Sequence, residues 1–195
     1  RGQLLQATRF LERAATLLDA HPAQEPLLRQ LRARIYQSIA LLHRQRGQRK
    51  ESRDAMAKAY DRLQQTPAEV RDPSLVAQVA LSYANYLRFD NQLVLAKRVL
   101  VEALDSQSSS QGAESEDDVK LSTAIHGLLG EVLLNLREEG DAIVYLERAL
   151  EAAGRDPRLL QGEQMDPDLL AELYCNTGLC LLRLNRDLER ATDYL

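Results

Sequence analysis

Residues 96–103 (AKRVLVEA) and 142–149 (AIVYLERA) share one spacing of small and bulky side chains. In each stretch, an alanine is followed by a leucine four residues later and by a second alanine three residues after that. The spacing recurs from Ala7 (with Leu11 and Ala14) and from Ser52 (with Met56 and Ala59), and it opens again at Ala191. Residues four and seven apart lie on one face of an α-helix. Small side chains on that face let a second helix approach closely, so each stretch predicts one member of a helix pair.

A second pattern precedes four of these five stretches and predicts the other helix of each pair. Its copies are Tyr36-x2-Ile39-Ala40, Ala80-x2-Tyr83-Ala84, His126-x2-Leu129-Gly130 and Tyr174-x2-Thr177-Gly178. Gly47 and Asn91 follow the first two copies, at positions where a left-handed residue would end a helix. The regular return of both patterns predicts an all-α stack of helical hairpins.

Together the two patterns resemble the tetratricopeptide repeat (TPR), whose form is Trp/Tyr-x2-Leu-Gly followed by Ala-x3-Phe-x2-Ala. The copies step by 45 residues (7 to 52), 44 (52 to 96), 46 (96 to 142) and 49 (142 to 191), whereas the usual unit has about 34. The longer step is similar to the long repeats of kinesin light chains. The resemblance implies an α-solenoid of about four hairpins plus a leading helix.

The repeats also predict how the chain is divided. We expect a single solenoid domain over 1–195, with repeats at 2–20 (second helix only), 25–64, 73–105, 119–153 and 167–195. Residues 105–118 contain one apolar residue, Ala113, and predict a flexible acidic insertion. Asp72-Pro73 and Asp166-Pro167 predict helix starts with an N-cap carboxylate. Because the pattern opens and closes within a hairpin, we expect a fragment of a longer protein.

Composition favours an intracellular, soluble and cytoplasmic protein. The chain is 45% hydrophobic and 28% charged, and it has no apolar run long enough to cross a bilayer. Its two cysteines, Cys175 and Cys180, are five residues apart on one predicted helix, so they point to different sides. We therefore expect no internal disulfide and a reducing compartment.

The residues that usually carry catalysis are sparse. His21, His43 and His126 have no partner at metal-ligand spacing, and His43 and His126 stand at packing positions of the helical pattern. Cys175 is expected to be a buried structural thiol. The sequence contains no glycine-rich phosphate loop. We therefore predict a protein that is not an enzyme and that needs no metal or cofactor.

The TPR resemblance implies that the first helices line a concave groove at fixed motif positions. The predicted partner-binding residues are Arg34, Gln37, Leu41, Arg44, Gln78, Leu81, Asn85, Arg88, Phe89, Glu131, Asn135 and Arg183. The same register also places Gly127, Leu134 and Cys175 in the groove. Asn85, Arg88 and Phe89 are the predicted hot spots, because an aromatic residue and an arginine lie side by side.

This surface predicts a protein–protein interaction scaffold that holds a peptide or a partner helix, since amides and arginines suit the backbone and carboxylates of an extended peptide. The alternative is an architectural or regulatory arm of a larger enzyme or assembly. Chaperone C-terminal tails are not expected as ligands. Chaperone-binding TPR domains grip a C-terminal carboxylate with a clamp of basic and amide side chains. At the positions where that clamp needs Lys, Asn, Lys and Arg, this sequence has Gln37, Leu41, Gly127 and Glu131.

Charge is distributed unevenly along the chain. Residues 25–64 hold ten Lys/Arg against four acids, whereas residues 131–195 hold fourteen acids against seven arginines. The basic cluster at 44–50 suits an acidic protein. Nucleic acid is the less favoured partner, because no aromatic side chains interleave with the cluster for base stacking. Ser115, followed by three acids, resembles the acceptor of an acidophilic kinase, which predicts a phosphoprotein.

Overall fold

The computed structural model describes residues 2–20, 25–108, 116–155 and 167–184, and its regular elements in these ranges are helices. They are α1 (Gly2–Ala20), α2 (Pro26–Gln45), α3 (Arg49–Gln64), α4 (Pro73–Phe89), α5 (Leu93–Ser108), α6 (Glu116–Asn135), α7 (Glu139–Arg155) and α8 (Pro167–Leu184), with a 3-10 turn at Ala68–Val70. The chain forms two compact units, residues 1–86 and 87–195. Each unit is described by itself.

Three tight turns follow α2, α4 and α6, and each contains a residue in the left-handed region. These residues are Gly47 (φ 74°), Asn91 (φ 57°) and Arg137 (φ 64°). The N–H of Gly47 donates to the carbonyl oxygen of Arg44 at 2.9 Å, and the next N–H reaches that of His43 at 2.9 Å. Asn91 and Arg137 repeat the same pair of bonds. This arrangement is the Schellman motif, which satisfies the last carbonyls of a helix. The predicted roles of Gly47 and Asn91 are confirmed.

In the first unit, α2 and α3 meet where the sequence places its small residues. Ser52 on α3 is fully buried, and its hydroxyl donates to the backbone carbonyl of Ala40 on α2 at 2.6 Å. The Tyr86 hydroxyl lies 2.6 Å from the same serine oxygen. Since the serine proton is already committed to Ala40, Tyr86 is the donor in that second bond. One polar side chain thus joins two neighbouring helices inside an apolar core.

A carboxylate holds α1 against this hairpin. The Tyr36 hydroxyl on α2 donates to Asp19 at 2.5 Å, and the Arg62 guanidinium on α3 lies 3.2 Å from the other carboxylate oxygen. Burial and the Asp19 carboxylate raise the pKa of Tyr36 above its usual value of 10. Arg32 also donates to the carbonyl of Leu18 in the last turn of α1. The end of α1 is therefore fixed by partners from both helices of the next hairpin.

In the second unit, α6 has almost no room between α7 and α8. A methyl group added at Gly130 would lie 2.5 Å from Cγ of Leu146 on α7. A methyl group added at Gly127 would lie 2.6 Å from Cδ2 of Leu173 on α8. The predicted close contact at both glycines is confirmed. Among the fully buried aliphatic residues of α6 and α7 are Ile125, Leu129, Val132, Leu133, Ala142, Leu146 and Ala149.

The predicted insertion at 105–118 is partly wrong. Residues 105–108 complete the last turn of α5, and Glu116 to Asp118 form the first turn of α6. Three acids in a first turn favour helix there, because they face the positive end of the helix dipole. Residues 109–115, with the candidate phosphoacceptor Ser115, lie outside the described residues. His21, Asp166 and the stretch from Ala191 lie outside them as well.

We expect Gly130→Ala to destabilise the protein by about 1–3 kcal/mol, because its methyl group overlaps the Leu146 side chain and cores resist overpacking. The matched control is Gly140→Ala, since Gly140 lies in α7 with nothing within 4 Å of an added methyl group. That change should be neutral or stabilising by up to about 1 kcal/mol. Urea unfolding of both variants measures the difference. Equal effects would show that α6 and α7 are not in close contact at Gly130.

Candidate interaction surface

The predicted groove residues are distributed over both units, and the structure shows the exposure and the contacts of each side chain. In the first unit, Arg34, Leu41 and Arg44 on α2 and Gln78 on α4 are exposed, while Gln37, Leu81 and Asn85 are half-buried. Arg34 has a partner of its own, because its guanidinium lies 2.8 Å from the Asp72 carboxylate. Asp72 also accepts the backbone N–H groups of Ser74 and Leu75, at 3.1 and 3.2 Å. The predicted N-cap at Asp72 is confirmed, and Arg34 ties it to α2.

In the second unit, Arg88 connects two of the predicted residues. Its guanidinium pairs with the Glu131 carboxylate on α6, and both side chains are 22% exposed. The same guanidinium lies 4.5 Å from the ring centre of Phe89, which is 62% exposed. An arginine over an aromatic face is attracted by the ring electrons. The sequence analysis predicted all three residues to bind a partner, but it did not predict the ion pair between Glu131 and Arg88.

Arg183 and Asn135 lie near the end of α6. The Arg183 guanidinium donates to the backbone carbonyl of Leu134 at 3.2 Å, and it lies 3.9 Å from the Glu139 carboxylate. Arg183 therefore caps the C-terminus of α6, a role that suits a cation. Asn135 is exposed. The side chain of Arg183 is thus engaged within its own unit.

Two of the residues that the motif register places in the groove are buried in the structure, so these two predictions are wrong. Leu134 is only 3% exposed, and Gly127 is buried against α8. The motif register assigns positions to a helix face but does not show where the next helix covers that face.

The structure also corrects the prediction for one of the two cysteines. Both are free thiols, as expected, but Cys175 is exposed and only Cys180 is buried. The Cys180 sulfur lies 3.3 Å from the backbone carbonyl oxygen of Glu139. Burial, followed by the nearby Glu139 carboxylate, raises the pKa of Cys180 to about 11. A thiol of that kind stays protonated and is a poor nucleophile.

We expect one cysteine of the native protein to react quickly with a chromogenic disulfide reagent at pH 8, and the second to react only on unfolding. The reason is that Cys175 is open to solvent, whereas Cys180 is buried with a raised pKa. Cys180→Ser should keep the fast phase, and Cys175→Ser should remove it. A fast phase that survives in Cys175→Ser would show that Cys180 is not buried.

His126 on α6 has a packing role, as predicted. Its Nδ1 donates to the backbone carbonyl of Ser122 at 2.8 Å, and its ring centre lies 6.0 Å from that of Tyr145 on α7. Burial lowers the pKa of His126 below its ordinary 6.5, since the charged ring would lose its hydration. His43 is also buried, and its Nδ1 lies 3.0 Å from the Gln48 side-chain oxygen.

The lowered pKa of His126 predicts an acid-sensitive fold. Below pH 6.5 the unfolded chain binds the proton more readily than the folded chain does, so the free energy of unfolding should fall as the pH drops. His126→Phe keeps a ring beside Tyr145 and removes this titration. Urea unfolding of both proteins between pH 7.5 and 5 should show a shallower loss in the variant. Parallel curves would contradict the burial of His126.

The described residues contain no group of three or more His, Cys, Asp or Glu side chains that could hold a metal ion. Within the same part of the chain, no helix is both long and apolar enough to cross a bilayer. The basic cluster between α2 and α3 is exposed at Arg44, Arg46, Arg49 and Lys50.

Comparison with solved structures places this helical arrangement among known repeat folds. BtubC (BKLC) from P. vanneervenii has a TM-score of 0.64 and 20% identity, over 98% of this chain and 70% of that chain. A candidate kinesin light chain with nearly identical TPR-like repeats, from Podosopora anserina, has a TM-score of 0.63 and 15% identity, over 99% and 84%. Aspartyl phosphate phosphatase F from Bacillus subtilis has a TM-score of 0.62 and 17% identity, over 98% and 45%.

The chain has a TPR-like repeat fold. No protein-family model and no curated protein matches its sequence. The predictions of an all-α fold and of a long-repeat TPR-like architecture are therefore confirmed by structure. At these identities the likeness concerns the fold of the TPR-like chain. Its function depends on the side chains described above.

Proposed function

We propose that this TPR-like protein is a non-enzymatic interaction scaffold that binds an extended peptide or a partner helix on its first-helix surface. This name refers to the first helix of each hairpin, here α4 and α6, and not to α1. We define this surface, within the second unit, by Arg88, Phe89, Glu131 and Asn135. The groove residues of the first unit stay a prediction. The observation that carries the proposal is Phe89, an aromatic side chain left 62% exposed beside a paired arginine.

The contacts of Arg88 suit Phe89 to act as an anchor. Arg88 is held by Glu131 and lies against the ring, so the ring rests beside an ordered neighbour. A side chain that is ordered before binding loses less conformational entropy when it is covered. Aromatic residues and arginines are also enriched among the hot spots of protein interfaces.

The charges around Phe89 define what a ligand needs. A ligand requires an apolar side chain to cover the ring. It also requires polar groups at its edge, because the Arg88–Glu131 pair is only partly buried and offers one charge of each sign. A peptide backbone with a single apolar anchor meets both needs. TPR-like proteins of solved structure share the fold that presents such a surface, which supports this choice.

The test is selection from a displayed library of random peptides, with the whole chain as the target. We expect enriched peptides with an apolar anchor whose affinity falls at least tenfold in Phe89→Ala, since losing an aromatic hot spot costs about 2 kcal/mol or more. The matched control is Val94→Ala, because Val94 on α5 is 74% exposed in the same unit and belongs to no predicted site.

Circular dichroism should show unchanged folding in both variants, because both side chains are mostly exposed. If the selected peptides bind Phe89→Ala as tightly as the parent protein, the first-helix surface is not the binding site. If Val94→Ala weakens binding equally, the effect is not specific to Phe89.

A further inference from the structure

The basic cluster, formed by Arg44, Arg46, Arg49 and Lys50, lies in the tight turn that joins α2 to α3. All four side chains are exposed. Within the described part of the chain, the side chains of Arg44, Arg46 and Lys50 form no ion pair and no hydrogen bond. The turn is closed by the Schellman bonds at Gly47, so the four cations are held on a short stretch of defined backbone.

The exposure of these cations belongs to the hairpin turn and not to their place in the chain. By the repeat steps of 44 and 46 residues, Lys50 is equivalent to Val94 on α5 and to Gly140 on α7. Val94 is 74% exposed, and nothing lies within 4 Å of a methyl group added at Gly140. Arg46 is equivalent to Asp90, which is exposed as well. Each of these equivalents has described helices before and after it in the chain, so the turn itself presents such positions to solvent.

The hairpin does not need basic residues at this turn. The first two residues of α3 are basic, whereas the equivalent residues are Leu93 and Val94 on α5, and Glu139 and Gly140 on α7. All three turns are closed by the same pair of backbone hydrogen bonds. The closure of the turn therefore does not explain the positive charges.

Two of the cations stand at an electrostatically unfavourable place. Arg49 and Lys50 lie in the first turn of α3, at the positive end of the helix dipole, where cations are disfavoured. Gln48 precedes α3 without forming a cap bond, and its side-chain oxygen lies 3.0 Å from Nδ1 of His43. Glu51 is the acid of that turn, whereas α6 and α7 each begin with more than one acid. A local disadvantage without a gain for the fold is typical of a functional surface.

The acids near the basic cluster do not neutralise it. Residues 44–54 contain five Lys/Arg and two acids. One of the acids, Asp54, is engaged by Arg53 at 2.8 Å. On α1, Glu12 lies 3.7 Å from Nε2 of the buried His43. A surplus of positive charge therefore remains at the turn, and it attracts anionic groups.

The chemistry of the basic cluster favours protein carboxylates over nucleic acid. Between Tyr36, which is buried, and Tyr60 the sequence has no Tyr, Phe or Trp on which a base of a single strand would stack. Duplex binders make about 6–10 phosphate contacts, which is more than the cations of one turn supply. Arginine pairs with a carboxylate through two parallel N–H groups, so a short acidic segment matches a cluster of this size.

The acids of a second copy are a poorer match. The natural counterpart in a second copy would be the acidic turn between α6 and α7, which occupies the equivalent hairpin position. There Glu138 pairs with Lys97, and the Glu139 carboxylate lies 3.9 Å from the Arg183 guanidinium. These carboxylates are engaged within their own unit. An acidic segment of another protein would meet the basic cluster without breaking such pairs.

We propose that the basic cluster binds an acidic segment of a partner protein, with three or more carboxylates within a few residues. The carboxylates pair with the exposed cations and relieve the repulsion between them. This site lies in the first unit and is separate from the first-helix surface around Phe89. It does not depend on the function proposed above.

The probes are three capped fluorescent peptides of equal length that differ only in charge. Each has four Glu, four Gln or four Lys residues separated by Ser and Gly, and fluorescence anisotropy measures its binding to the whole chain. The test variant is Arg46→Gln/Lys50→Gln. The matched control is Arg13→Gln/Lys58→Gln, which removes two exposed cations of the same unit outside the basic cluster.

At low salt we expect the Glu peptide to bind about tenfold more tightly than the Gln peptide, and physiological salt to weaken it, since salt screens exposed charges. The test variant should weaken the Glu peptide about tenfold, because each exposed ion pair contributes up to about fivefold. The matched control and Phe89→Ala should leave that affinity nearly unchanged. Arg46→Glu/Lys50→Glu should bind the Lys peptide most tightly of the three.

Melting temperatures separate a binding role from a structural one. Lys50→Glu should raise the melting temperature by about 1–3 °C, since an acid then replaces a cation in the first turn of α3. The same change should weaken the Glu peptide. If Lys50 served the fold instead, this variant would lose stability.

Four results would overturn the proposal. Equal binding of the Glu and Gln peptides, or an equal loss of affinity in the test variant and its control, would show that the basic cluster is not a specific site. An RNA oligonucleotide of similar charge that binds more tightly than the Glu peptide, and is lost in the test variant, would assign the cluster to nucleic acid. Self-association in sedimentation experiments that the test variant abolishes would assign it to a second copy.

Discussion

The rest of this structure depends on the close approach of two helices at a small side chain. At Gly130 the absence of a methyl group lets Leu146 enter the space it would fill, and at Ser52 a short hydroxyl reaches the backbone of the opposite helix. Dispersion attraction decays within an ångström of extra separation, so packing of this kind holds each helix in one position. The Schellman turns at Gly47, Asn91 and Arg137 then reverse the chain within a few residues. A hairpin of defined geometry results, and the chain forms it more than once.

Polar groups in this protein mostly serve the hairpins, and that limits which of them can serve a partner. Arg34, Arg88 and Arg183 all belong to the predicted groove, yet each contacts a carboxylate or a carbonyl of its own unit. A paired arginine still shapes a surface, because it orders what lies next to it, as Arg88 does for Phe89. The groups that stand out as available are exposed apolar side chains beside such arginines. Phe89 is such a side chain, since it is 62% exposed and lies against Arg88, which is paired with Glu131.

Whether a sequence-based prediction agrees with the structure depends on how far apart in the chain the interacting residues lie. Small residues at fixed spacing act between the two helices of one hairpin, and the left-handed positions Gly47 and Asn91 and the N-cap at Asp72 act within about one turn. Sequence patterns report such local contacts directly. Arg137 takes the same left-handed conformation without a residue type that announces it, because the Schellman bonds outweigh its modest steric cost. Cys175, Gly127 and Leu134 were misplaced because their exposure depends on whether another helix lies over them.

The sequence by itself determined that this protein is built from TPR-like helical pairs, since periodicity and residue size are properties of the chain alone. It also singled out Arg88 and Phe89, which lie side by side because they are consecutive in the sequence. Only the tertiary structure decided that Glu131 pairs with Arg88, that Cys175 is exposed, and that Leu134 is buried. The physical reason is that burial and pairing arise between segments far apart in the chain, as in the contact of Arg88 with Glu131 across 43 residues. No local pattern encodes which of two chemically similar faces the next helix will cover.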